Sequence, residues 1–165
     1  MPDVLNIFQA APEPPAQSTF DLNRLTEQFK TTRATDWSIP EAFLCLLLSA
    51  AASDGNIAPE EQAEIQALAR RSRALKTVNP SQLAAANATV TQRVKDRPNG
   101  LQEACESLPM DMRLPVFAHC VDIVLADGAL LAIEAEFLNK ITTFMALDAA
   151  DAKRILEVML VKNRF

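Results

Sequence analysis

Four carboxylates fall at matched places in this chain: Asp54 and Glu61, then Asp127 and Glu134. In each pair the aspartate is followed directly by a glycine (Gly55 or Gly128), an aliphatic residue stands two positions after that glycine, and the glutamate six after it. Hard divalent cations take clustered oxygen ligands of this kind, and the same carboxylates repel one another until a cation neutralises them. The pattern reproduces the second half of an EF-hand loop, with its turn glycine and closing glutamate. The first half is missing, because Ala50 and Ala52, like Ile123 and Leu125, stand where acidic ligands belong. One loop alone therefore offers two carboxylates, too few for the usual calcium cage. Two loops brought together offer four, with Asp122 and Glu136 as additions. A second reading needs no ion. A glutamate in the first turn of a helix is favoured by about 0.3 to 1 kcal/mol through unpaired amides and the macrodipole, and an aspartate before glycine commonly bonds its own backbone in a turn. Spacing alone leaves both readings open.

The elements that carry these acids are duplicated. Residues 42–65 read AFLCLLLSAAASDGNIAPEEQAEI and residues 115–138 read PVFAHCVDIVLADGALLAIEAEFL, in one register at an offset of 73 positions. Ile57 matches Leu130, Ile65 matches Leu138, and the polar interruptions Ser49 and Asp122 coincide. This is an internal repeat of a helix, a loop and a helix, in units of about residues 38–76 and 111–147. The apolar helix of each unit is hydrophobic nearly all round and must be enclosed by others. The two are therefore expected side by side at the centre, related by a pseudo-twofold axis, with their Asp-Gly loops close together.

Start and stop signals place the remaining helices. Ser38-Ile-Pro-Glu41 has the form of a capping box opening the first apolar helix, expected over Glu41 to Ser53. Pro59 with Glu60 and Glu61 restarts a helix, Asn79-Pro80-Ser81 opens another, and Gly100 follows its end. A short helix over Leu101 to Leu108 precedes the second apolar helix, expected from Leu114 to Ala126, and Asp148 caps the last one. A further helix is expected from Ser18 to about Thr32, behind a proline-rich tail over residues 1–17. No segment alternates with period two, so the expected fold is all-α: a compact bundle of seven to eight helices over residues 18–165.

A chain of 165 residues is one domain of common size. Its three cysteines, Cys45, Cys105 and Cys120, lie in apolar helical patterns without a C-x-x-C, as small buried hydrophobes of a reducing compartment do. Neither a signal peptide nor a spanning helix is expected, and the inferred location is the cytoplasm. The formal net charge of −5 argues against a nucleic-acid binder. From Arg70 to Arg97, however, seven basic residues face a single acid, Asp96, which points to a solvated basic face or to contact with an acidic partner or anionic lipid. His119, three before Asp122, shares a helix face with it, but a lone histidine in a buried helix is usually a core residue. No second histidine serves a serine or cysteine nucleophile, and with three glycines there is no phosphate-cradling loop, so no enzymatic activity is expected.

The pair of units LLLSAAASDGNIAPEEQAEI and DIVLADGALLAIEAEFL resembles the TerB-like domain of bacterial tellurite-resistance proteins, whose repeats carry an Ala-Asp-Gly turn and a glutamate in the following helix. The closing LDAADAKRILEVMLVKNR is similar to that family's last helix, so the resemblance spans about Thr19 to Arg164. It implies a non-enzymatic helical bundle, thought to bind a divalent metal ion through clustered acids, that works with protein partners of a stress-response complex near the cytoplasmic membrane. Asp54, Glu61, Asp127 and Glu134 match the family pattern; Ser53 stands where the motif favours alanine, and the second copy lacks a proline and a second acid before Glu134. The alternative to an ion-binding module is a metal-free interaction scaffold with acidic and basic poles.

Overall fold

The computed structural model describes residues 36–57, 59–76 and 78–164, without the side chains of residues 61 and 62. The proline-rich tail over residues 1–17 and the helix expected from Ser18 to about Thr32 lie outside the described residues. The described chain forms seven helices: α1 (Ile39–Ala51), α2 (Pro59–Arg71), α3 (Pro80–Asp96), α4 (Gly100–Ser107), α5 (Met110–Val124), α6 (Ala132–Phe144) and α7 (Ala149–Lys162). No strand occurs among the described residues.

Side chains outside the helices satisfy the amides that open them. Ser38 Oγ accepts from the Glu41 amide at 3.3 Å while Glu41 Oε2 accepts from the Ser38 amide at 3.0 Å. The same reciprocal box opens α3, where Asn79 Oδ1 accepts from the Gln82 amide at 2.8 Å and Gln82 Oε1 from the Asn79 amide at 3.0 Å. Asp148 Oδ1 accepts from the amides of Ala150 and Asp151 at 2.8 and 3.2 Å. Each such cap contributes about 1 kcal/mol. One boundary departs from the sequence reading: α5 begins at Met110 and carries Pro115 inside it rather than starting at Leu114. Pro115 and Asp111 are both exposed, so the hydrogen bond that proline cannot donate is lost on the water side, where it costs least.

The core follows from the two apolar helices. On α1, Ala42 to Leu47 together with Ala50 and Ala51 are all buried, and on α5 Met112, Val116, Phe117, Cys120, Val121, Ile123 and Val124 are. A helix apolar on every side needs neighbours on every side. Accordingly α1 packs on α2, α3, α4 and α5, and α5 also carries α6 and α7. The second helix of each hairpin touches the first helix of the other as well, α2 against α5 and α6 against α1. That exchange is what a pseudo-twofold relation between the two hairpins produces.

The three cysteines are free and buried in the helices that meet here. Burial pushes the thiol of Cys45 up to about 11 and that of Cys105 up to about 12, and raises Cys120 well above the ordinary range. Basic residues of the Arg70 to Arg97 stretch also hold the fold. Arg93 donates to the Asp36 carbonyl at 2.6 Å and to Glu41 at 3.1 Å, with its guanidinium over the Trp37 ring, while Arg97 bridges Asp36 and Glu103.

Candidate metal centre

Both Asp-Gly corners are built by one set of local bonds, repeated at the offset seen in the sequence. The amide of Gly55 donates to the Ala52 carbonyl at 3.0 Å, and that of Gly128 to the Leu125 carbonyl at 2.9 Å. Asp54 Oδ1 accepts from the Asn56 amide at 2.9 Å, and Asp127 Oδ1 from the Ala129 amide at 3.1 Å. Gly55 and Gly128 lie at φ of 92° and 87°, a left-handed backbone that side-chain-bearing residues rarely adopt. The two aspartates are thus fixed at exposed corners, each with one oxygen bound to its own turn.

Glu134 differs from both. It is only 2% exposed, and its Oε2 accepts from the Leu131 amide at 2.7 Å, closing the start of α6. Burial raises its pKa above the ordinary carboxylate value, the Leu131 bond works against that, and the negative charges of Asp127 and Asp54 add to the rise. Asp54 belongs to the other hairpin, so the two corners share one electrostatic neighbourhood. Among the described residues no lysine or arginine pairs with Asp54, Asp127 or Glu134. Ser53 Oγ, next to Asp54 in the chain, is buried without a hydrogen-bond partner among those residues.

Glu61 occupies the first turn of α2, the position matching Glu134, but its side chain lies outside the described residues. Among the described residues no group of three or more His, Cys, Asp or Glu side chains stands close enough together to hold a metal ion. Asp54, Asp127 and Glu134 therefore share a field without forming a closed ligand shell. Asp122 serves another contact: Lys162 Nζ donates to its two oxygens at 2.6 and 2.8 Å, and Asn163 Nδ2 donates at 3.3 Å, fastening the end of α7 to α5. Glu136 is exposed on α6. His119 lies 5.6 Å from the Phe43 ring, centroid to centroid, and burial lowers its pKa against the opposing pull of Asp122. Sequence reasoning did not single out the Ser53 hydroxyl as a donor, although Ser53 breaks the Ala-Asp-Gly pattern. Nor did it find Lys162, which reaches Asp122 across 40 residues.

The family model for tellurite resistance protein TerB matches residues 40–157, well over half the chain. The chain belongs to the TerB family. No curated protein and no solved structure matches it. The matched TerB region contains both hairpins, all four paired carboxylates and most of α7. The helical TerB domain expected from the duplicated corners is the fold observed. No helix of the TerB domain is long and apolar enough to cross a membrane among the described residues.

Proposed function

We propose that this TerB domain is a non-enzymatic module that binds a hard divalent cation between its two Asp-Gly corners, with Asp54, Glu61, Asp127 and Glu134 as carboxylate ligands. The observation that carries the reading is the buried Glu134 carboxylate, raised in pKa by burial and by an acid from each corner, with no ion pair to Asp54, Asp127 or Glu134 among the described residues. Unneutralised carboxylates in one field are costly, and a cation removes the cost. The donor chemistry suits such an ion, since every candidate ligand is an oxygen and the unpaired Ser53 hydroxyl adds one more at the corner. A bound cation would supply charge neutralisation and a link between the hairpins. The chain's own contribution is to hold Asp54 and Asp127 in turns, and Glu134 at the head of α6, before any ion arrives.

In this reading the module works in the cytoplasm with protein partners of a stress-response assembly, and its basic stretch allows peripheral contact with a membrane. The second reading, a metal-free scaffold, is favoured by the backbone amide that already occupies one oxygen each of Asp54, Asp127 and Glu134. Thermal denaturation separates the two. A ligand that binds only the native state at a hundred times its Kd adds about 2.7 kcal/mol, or roughly 5 to 10 °C in Tm for a chain of this size. We expect such a rise with at least one of calcium, magnesium, manganese or zinc, and its loss in Asp54→Asn with Asp127→Asn. No shift with any of the four up to about 10 mM, a hundred times a Kd of about 100 μM, leaves only the scaffold.

A further inference from the structure

A cavity of about 390 Å³ opens between the C-terminal half of α2, the connector that follows it and the first turn of α3. Its apolar wall includes Ala69, Leu75, Val78 and Leu83, with Leu75 at 2% exposure. Its polar groups are Gln66, Arg70 and Lys76. Of the other arginines in the basic stretch, Arg71 pairs with Glu64, Arg93 with Glu41, and Arg97 with Asp36 and Glu103, while Arg73 lies outside the cavity lining. Arg70 and Lys76 make no ion pair among the described residues, although the chain is acidic overall.

We propose that this groove binds a medium-chain aliphatic carboxylate, a free fatty acid, with its tail against Leu75, Val78 and Leu83 and its headgroup between Arg70 and Lys76. The volume lies at the lower end of the range for small-molecule pockets, which are mostly apolar with a few placed polar groups. Two unpaired cations beside an apolar wall select an anion with an apolar body, and the guanidinium fork of Arg70 matches a carboxylate. This inference is independent of the cation reading, because none of its residues belongs to the Asp-Gly corners.

The test is a titration of the ¹⁵N-labelled full chain with sodium decanoate, kept below micelle-forming concentrations, followed by amide shifts. Saturable binding is expected, with the largest shifts at Ala69, Leu75, Lys76, Val78 and Leu83. Decanol should bind at least tenfold more weakly, and Arg70→Gln with Lys76→Gln should weaken decanoate at least tenfold. Both substituted residues are exposed, so the fold survives and the spectrum itself verifies it. Asp54→Asn with Asp127→Asn should leave decanoate binding unchanged. The proposal is overturned by no saturation up to millimolar decanoate, by equal binding of decanol, by undiminished affinity in the Arg70 and Lys76 variant, or by shifts centred elsewhere. A response to phosphatidylglycerol vesicles without one to decanoate also overturns it, since that is contact with a lipid surface.

Discussion

Arg113 Nη1 donates to the Met145 carbonyl at 2.8 Å, joining the start of α5 to the end of α6 across 32 residues. The same guanidinium donates to the Leu108 carbonyl at 3.0 Å and the Glu106 carbonyl at 3.1 Å, so one side chain caps the C-terminal ends of two helices. Hydrogen bonds from a charged donor contribute about 1.5 to 3 kcal/mol each and are not additive at one site. Arg113→Met should therefore lower stability by about 2 to 4 kcal/mol in urea denaturation, with the slope unchanged.

The backbone conformations of three residues give stability changes of opposite sign. Gly55 and Gly128 have positive φ and open space where a methyl group would point, so alanine at either meets no clash and is penalised by conformation alone. Each Gly→Ala change should cost about 1 to 2 kcal/mol, and nearly the same at both. Ala146 follows α6 at φ 51°, with the Leu147 amide donating to the Thr142 carbonyl and its own amide to Thr143, the helix ending that glycine prefers. Ala146→Gly should raise stability by about 1 kcal/mol, measured as a higher Tm.

Glu134 predicts a pH signature. Its folded pKa is raised above the ordinary 4.5, so the folded state keeps this proton to higher pH than the unfolded chain does. Stability from this group is therefore greatest at low pH and falls as pH climbs from about 4.5 through the folded pKa. Asp36 and Glu103, whose pKa values are lowered by hydrogen bonds to Arg97 and Trp37 respectively, act the other way and lose their contribution as pH falls. Glu134→Gln keeps an acceptor for the Leu131 amide while removing the titration, and the exposed acids cancel in the comparison. Without divalent cation the variant should match the parent at pH 4 and exceed it at pH 7. Under the cation reading, saturating metal reverses the order at pH 7.

Thiol chemistry reports on the core. All three cysteines are buried and their pKa values are raised by that burial, so little thiolate exists at neutral pH. A disulfide-exchange reagent should label none of them in seconds, should label all three in denaturant, and should react under native conditions at a rate that follows Arg113→Met destabilisation. Rapid labelling of any one in the native chain would contradict the packing of α1, α4 and α5.

Much of this architecture can be read from the sequence because it is local. Ser38 with Glu41, Asp148 and the two Asp-Gly turns act within three residues of themselves, so residue type and spacing suffice to find them. The repeat adds the long-range part, since two copies in register imply two enclosed helices packed together. What escaped was chemistry between distant segments. Lys162 on Asp122 and Arg113 on Met145 depend on which exposed helix ends meet, and no periodicity encodes that. The start of α5 differs for another reason: Pro115 lies inside the helix on a solvent-facing side, where its missing bond is cheap enough to tolerate, so the helix reaches back to Met110.

A molecule that writes the same corner twice carries its own reference experiment. The bends at Gly55 and Gly128 share a bond pattern and nearly the same dihedral, and the second is followed by Glu134, which is sunk from water. Any substitution made at one bend can be graded against its twin 73 positions away, in the same solution and the same chain. What the twins suffer alike measures the cost of the bend; what they suffer differently measures the surroundings.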